Sequence, residues 1–166
     1  MFVYVFLGLY ITCIGLGVWT DATRMKISNS VSIILIAAFL LFAVIHLPVR
    51  LAILHIAVAA AVFGVTFCCF ALRCMGGGDV KLLTAISMWI GPLHILPYLA
   101  AVAVLGGLLA AFVLCAKRIT CHSGRINCRR FMKPVRTWAD TGRVPYALAI
   151  GSAALVHTRS VFGPWL

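Results

Sequence analysis

The sequence predicts an all-α integral membrane protein with six transmembrane helices, from its composition and from the spacing of its apolar runs. Hydrophobic residues make up 64% of the 166 positions, charged residues only 10%, and the mean hydropathy is +1.13. A soluble domain of this length needs far more polar surface to cover itself. The apolar residues also form long runs between short polar breaks, and about 20 apolar residues in a row cross a bilayer as a helix.

The six helices follow from where these runs are interrupted. Polar residues 21–29 separate the first run from the second, and Pro48 turns the chain before the third. The apolar stretch 82–116 is too long for one helix, and Gly91-Pro92 supplies turn chemistry that divides it. The predicted helices cover residues 2–20, 30–47, 51–72, 80–90, 93–116 and 144–162. Because no internal repeat or linker appears, residues 1–166 are expected to form a single membrane domain.

The basic residues indicate how these helices cross the membrane. The formal net charge is +11, from 14 Lys and Arg against three Asp. All the basic residues except Arg50 and Arg159 lie in segments 21–29, 73–81 and 117–143, which six crossings place on one side. Cytoplasmic loops are enriched in Lys and Arg, so we predict an N-out, C-out topology with a basic cytoplasmic loop at 117–143. That loop suits membrane lipids of an anionic leaflet, and no nucleic-acid partner is expected.

The cysteines do not indicate a metal or redox site. The chain has seven of them and no CxxC pair, so a zinc knuckle or thioredoxin-like motif is not supported. Cys115, Cys121 and Cys128, together with His122, leave a metal site open as the minor alternative to ordinary reduced thiols. We predict neither a metal nor another cofactor.

Two of the three aspartates are expected at the same membrane depth. Asp21 closes the first predicted helix and Asp79 opens the fourth, and the topology puts both of these ends on the cytoplasmic side. Ionisable groups near the hydrocarbon are costly and usually functional. Two carboxyl groups held close together share a proton, so one can deprotonate water while the other acts as an acid. The pair therefore indicates aspartic-protease chemistry.

A run of three glycines leads directly into the second of these aspartates. Gly76, Gly77 and Gly78 have no side chains, so a substrate backbone could approach Asp79 and pair with the main chain. The alternative is a flexible turn in which Asp79 caps a helix. The third aspartate, Asp140 in TWADTGRVPY, is expected to be a loop or capping residue.

Three stretches carry a resemblance to a known family. They are DATRMKISN at 21–29, GGGDVKLL at 76–83 followed by WIGP at 89–92, and VPYALAIG at 144–151. Together they resemble the prepilin peptidases, membrane aspartic proteases of the GxGD type. Ser28 stands where that family usually has proline, but the spacing from aspartate to asparagine is intact.

The resemblance implies an activity and a site. Asp21 and Asp79 would be the catalytic pair, and the three glycines together with Lys81 would bind substrate. Lys81 would either hold Asp79 closer to its ionised form or serve as a positive-inside anchor. The substrate would be the leader of a type IV pilin-like precursor, cut at the cytoplasmic face of the bacterial inner membrane.

The resemblance also extends to the form of the enzyme. The chain lacks the CxxC-bearing loop of the larger bifunctional members, so it looks like the short form of tight-adherence pilus systems. We therefore expect a peptidase without N-methyltransferase activity. Two other classes stay open from the residues alone. One is a small transporter that uses Asp21 and Asp79 as a proton or cation relay, and the other is a structural assembly protein.

Overall fold

A computed structural model describes residues 2–24, 28–122 and 146–163, and these residues are helical apart from short turns. The helices are α1 (Phe2–Arg24), α2 (Asn29–His46), α3 (Val49–Ala71), α4 (Gly77–His122), α5 (Tyr146–Val156) and α6 (Thr158–Phe162). Four of them, α1 to α4, are long and apolar enough to cross a membrane. The all-α membrane class is thus confirmed for the described part of the chain, whereas six crossings and their orientation stay predictions.

The two aspartates lie inside helical turns and not in the polar breaks between helices. Helix α1 continues beyond the predicted end at residue 20, through Asp21, to Arg24. Helix α4 begins at Gly77, ahead of the predicted start at residue 80, and it continues to His122, into the predicted loop 117–143. The rest of that loop, including Asp140, lies outside the described residues.

Helix α4 is broken where the sequence predicts a division between two helices. Gly91 has φ 71° and ψ −177°, which is not helical. Pro92 has no N–H, so the carbonyl of Met88 loses its helical partner. His55 of α3 replaces that donor, with its Nδ1 2.8 Å from the Met88 oxygen. The imidazole ring also fills the space in which a side chain at Gly91 would lie, so only glycine fits there.

Helix α3 ends in a backbone motif that leads the chain into the first turn of α4, which carries Asp79. Arg73 takes the left-handed conformation, with φ 59°. The Arg73 N–H donates to the Phe70 carbonyl and the Cys74 N–H to the Cys69 carbonyl, each at 2.9 Å. This pair of bonds is the Schellman arrangement, which satisfies carbonyls that the helix end leaves free.

Aromatic side chains fill the core of the bundle around Trp89, away from the end at which α4 begins. The ring of Trp89 lies 5.4 Å from Tyr10, 5.5 Å from Phe42 and 5.6 Å from Phe162, measured between ring centroids. Its indole N–H donates to the Leu35 carbonyl at 3.0 Å, so the polar edge of the ring is satisfied. These contacts join α1, α2, α4 and α6.

Candidate active site

The first predicted catalytic residue, Asp21, is held in the interior by another helix. It lies in the last turn of α1 and is only 8% exposed. Its Oδ2 accepts a hydrogen bond from the backbone N–H of Ala147 at 3.2 Å. Ala147 is in the first turn of α5, where N–H groups have no partner within their own helix. The positive end of the α5 dipole therefore faces this carboxyl group.

The second predicted catalytic residue, Asp79, lies in the first turn of α4. Its carboxyl group accepts a hydrogen bond from the backbone of Gly76, the residue just before the helix. Asp79 is the third residue of α4 and its side chain bonds back to the residue that caps the helix, Gly76, as in a capping box. The other oxygen, Oδ1, is buried and has no hydrogen-bond partner among the described residues. One oxygen of Asp79 thus stabilises the helix start, while the other is available for chemistry.

The fold brings these two carboxyl groups together. They are close enough to interact electrostatically, although they are 58 positions apart in the chain and belong to different helices. Each one faces the N-terminus of a helix, α5 for Asp21 and α4 for Asp79, which offsets part of the cost of burying acidic groups. Two carboxyl groups that interact in this way resist carrying two negative charges at once.

Contacts at the glycine run keep the main chain near Asp79. A β-carbon added at Gly76 would lie 2.8 Å from Oδ2 of Asp79, so the carboxyl group rests directly against this glycine. A β-carbon at Gly77 would meet the ring of Phe70 at 3.2 Å. Gly78, which is half-buried, continues the first turn of α4. The first glycine of the run therefore fixes where the carboxyl group lies.

Close helix packing positions Asp21 against α5. A β-carbon at Gly151 would overlap Val18 of α1 and lie 3.1 Å from Ile14, so α5 approaches α1 as closely as backbone permits. Ala147, one turn earlier on α5, is fully buried. Small residues four positions apart commonly allow such close contacts between membrane helices.

The sequence also predicts a helix contact through the small residues Ala103 and Gly107 of α4, but in the structure these two residues do not make it. Ala103 and Gly107 have the same spacing, but Ala103 is exposed and Gly107 has no atom within 4 Å of an added β-carbon. Gly106 packs against α5 instead, since a β-carbon added there would lie 3.0 Å from the ring of Tyr146.

The hydrogen bond that the structure gives to Lys81 is to Asn29 and not to either carboxyl group. The Lys81 ammonium donates to Oδ1 of Asn29 at 2.9 Å, across the gap between α4 and α2, and the side chain is exposed. A metal centre was the minor alternative for Cys115, Cys121, Cys128 and His122, but Cys128 and the side chains of Cys121 and His122 lie outside the described residues. The described part of the chain holds no group of three His, Cys, Asp or Glu side chains that could bind a metal ion.

One protein family matches this sequence. The profile of the Type IV leader peptidase family matches residues 6–112. The chain belongs to this family. The match covers both Asp21 and Asp79 as well as the glycine run. Searches of curated proteins and of solved structures gave no match.

Membership in the family supports the resemblance inferred from the motifs. The protein is a leader-peptidase-like protease with several membrane helices, of a family whose substrates are pilin precursors. The spacing of Ala147 and Gly151 predicts a helix contact, and the structure has that contact at Gly151. Sequence reasoning missed the hydrogen bond to Asp21 from the Ala147 N–H, which lies beyond the family match.

Proposed function

We propose that this leader peptidase is an aspartic endopeptidase, with Asp21 and Asp79 as its catalytic pair, that removes the leader of type IV pilin-like precursors. The observation that carries the proposal is the convergence of the buried Asp21 of α1 and the half-buried Asp79 of α4, whose buried oxygen Oδ1 has no hydrogen-bond partner among the described residues. Buried ionisable groups in a membrane protein are otherwise rare and costly.

The two carboxyl groups differ in ways that suit different parts of the reaction. Asp21 is fixed by the Ala147 N–H, so its orientation is set before substrate binds. Asp79 has a free buried oxygen, Oδ1, that can hold the attacking water. In the shared-proton state, the ionised carboxyl takes a proton from the attacking water while the protonated one gives its proton to the scissile carbonyl oxygen. When the tetrahedral intermediate breaks down, the proton taken from water passes to the leaving amine, and a hydroxyl proton of the intermediate returns to the other carboxylate.

The glycine run gives the substrate a route to this pair. An extended peptide beside Gly76, Gly77 and Gly78 meets no side chains on these residues, so its scissile bond can reach the Asp79 carboxyl group. We place the reaction at the cytoplasmic face of the bacterial inner membrane, because the topology predicted from the sequence puts both aspartates on the same side as most of the basic residues. In keeping with the missing CxxC loop, the proposal includes no N-methyltransferase activity.

The location of the carboxyl groups favours a protease over a relay for protons or cations. Asp21 is in the last turn of α1 and Asp79 in the first turn of α4, so both are at helix ends. A relay through the membrane places its acids near mid-span, at the repeat interface of the transporter.

Cleavage of co-expressed precursors in membranes tests this function. Tagged pilin-like precursors are combined with wild type, Asp21→Asn, Asp79→Asn and the control Ser87→Ala, and all four proteins are checked for equal accumulation. Ser87 is fully buried in the same core, and its hydroxyl bonds only to its own helix at Thr84. Shortening by wild type and the control, with loss in both Asn variants, is expected. Cleavage by either Asn variant would contradict the proposal.

A further inference from the structure

A pocket of about 360 Å³ opens between α2, α3 and α4, near the end of the bundle that holds the two aspartates. Its apolar walls include Ile36 of α2 and Phe63 of α3, and its α4 side is formed by Lys81 and Thr84. Helices α2 and α3 contact α4 far more than they contact each other. The pocket therefore faces the lipid side of the bundle through the gap between these two helices.

A cationic group stands at the polar side of this pocket. The Lys81 ammonium donates one hydrogen bond to Asn29, which also lines the pocket. An ammonium has three N–H donors, so two are left for a ligand. No acidic side chain lines the pocket within the described part of the chain, so the positive charge is not neutralised there.

A second, independent observation points to a ligand with an acceptor group. Ser32 lines the same pocket, is only 4% exposed, and its hydroxyl is buried without a hydrogen-bond partner among the described residues. The hydroxyl of Thr84 differs, since it donates to the Val80 carbonyl at 2.8 Å. A buried hydroxyl without a partner is destabilising, and a bound acceptor would remove that penalty.

The chemistry of the lining selects the occupant. An acyl chain of a lipid fits along the apolar walls formed by Ile36 and Phe63. An ammonium and a hydroxyl donor at one side fit a phosphate group better than a neutral or cationic one.

We propose that this pocket binds one anionic phospholipid, with its phosphate held by Lys81 and Ser32 and an acyl chain lying along Ile36 and Phe63. This site is separate from the peptidase chemistry and does not depend on it.

Retention of lipid by the purified full chain tests the proposal. Native mass spectrometry counts bound phosphatidylglycerol, and phosphatidylcholine with the same acyl chains, on wild type, Lys81→Gln, Ser32→Ala and Arg73→Gln. Arg73 is an exposed basic residue of the α3–α4 turn that does not line the pocket. Arg73→Gln is therefore the control, because it removes one positive charge, as Lys81→Gln does, but outside the pocket. A parallel titration uses inorganic phosphate alone.

Wild type and Arg73→Gln are expected to retain one phosphatidylglycerol at least about fivefold more tightly than phosphatidylcholine. Lys81→Gln should lose this preference. Ser32→Ala should weaken retention while making the lipid-free protein more heat-stable, because an unpaired buried hydroxyl is gone. Equal losses in Lys81→Gln and Arg73→Gln would overturn the proposal, as would unchanged retention by Ser32→Ala. Binding of inorganic phosphate with the same dependence on Lys81 would also overturn it.

Discussion

Replacing Gly151 with alanine should separate α5 from α1 and weaken the hold on Asp21. The added methyl group overlaps Val18 and lies 3.1 Å from Ile14, whereas carbon atoms are in favourable contact at about 3.5–4.0 Å. Valine in a helix strongly prefers one rotamer, so the side chain of Val18 cannot simply turn away. The helices must therefore move apart by several tenths of an ångström.

This displacement has a calculable effect on the site. The bond from the Ala147 N–H to Asp21 measures 3.2 Å, already at the long end of the usual range, and a further 0.3–0.5 Å breaks it. Overpacking of this kind costs about 1–3 kcal/mol. A misplacement approaching 1 Å at a catalytic group costs about 10²-fold in rate. We expect Gly151→Ala to cleave precursor at least about tenfold more slowly and to unfold at a lower temperature.

Precursor cleavage and thermal unfolding of the purified protein measure both effects, and two further variants make the result specific. Gly107→Ala is the matched control, because an added methyl there meets no atom within 4 Å. Val18→Ala combined with Gly151→Ala removes the overlapping group and should restore much of the rate. If Gly151→Ala behaves like Gly107→Ala, or if the second change restores nothing, the packing argument is wrong.

Two further predictions concern the start and the break of α4. Gly76→Ala places a methyl group 2.8 Å from Oδ2 of Asp79, so it should displace this carboxyl group and reduce cleavage by about tenfold or more. Gly77→Ala meets only an exposed ring and should reduce cleavage less. Replacing His55 with leucine leaves the Met88 carbonyl without a donor and should lower the free energy of unfolding by about 1–3 kcal/mol, whereas asparagine, which keeps a donor, should be less damaging.

Each of these predictions has a clear contrary result. Equal cleavage by Gly76→Ala and Gly77→Ala would show that the first glycine does not position the carboxyl group. Thermal unfolding in detergent compares the two His55 variants. If His55→Asn destabilises the protein as much as His55→Leu, the hydrogen bond to the Met88 carbonyl is not what stabilises the break in α4.

The pairing of the two aspartates could be predicted from the sequence. Hydropathy and charge locate the helix ends, and Asp21 and Asp79 flank ends that the topology places on the same side. Their meeting needs only that the two helices be neighbours. The division of α4 was also predictable, because Gly91 and Pro92 stand together in an apolar stretch and proline removes a backbone donor.

The partners of these groups could not be predicted in the same way. Pro92 leaves an unpaired carbonyl, but the choice of His55 as its donor depends on how α3 packs against α4. Likewise, the hydrogen bond from Ala147 to Asp21 joins residues 126 positions apart, and it exists because Gly151 lets α5 reach α1. Such contacts depend on helix rotation and separation, which a single hydropathy pattern does not specify.

Cleavage by purified protein tests the central claim most directly, because it excludes other membrane proteases. Wild type, Asp21→Asn and Asp79→Asn, each in detergent, are given a pilin-like precursor, and the mass of the product identifies the bond that is cut. The account predicts one cut that releases the leader and a loss of at least about 10³-fold in rate for each variant. A variant that retains more than a tenth of the wild-type rate would contradict the claim that the two carboxyl groups act as a pair.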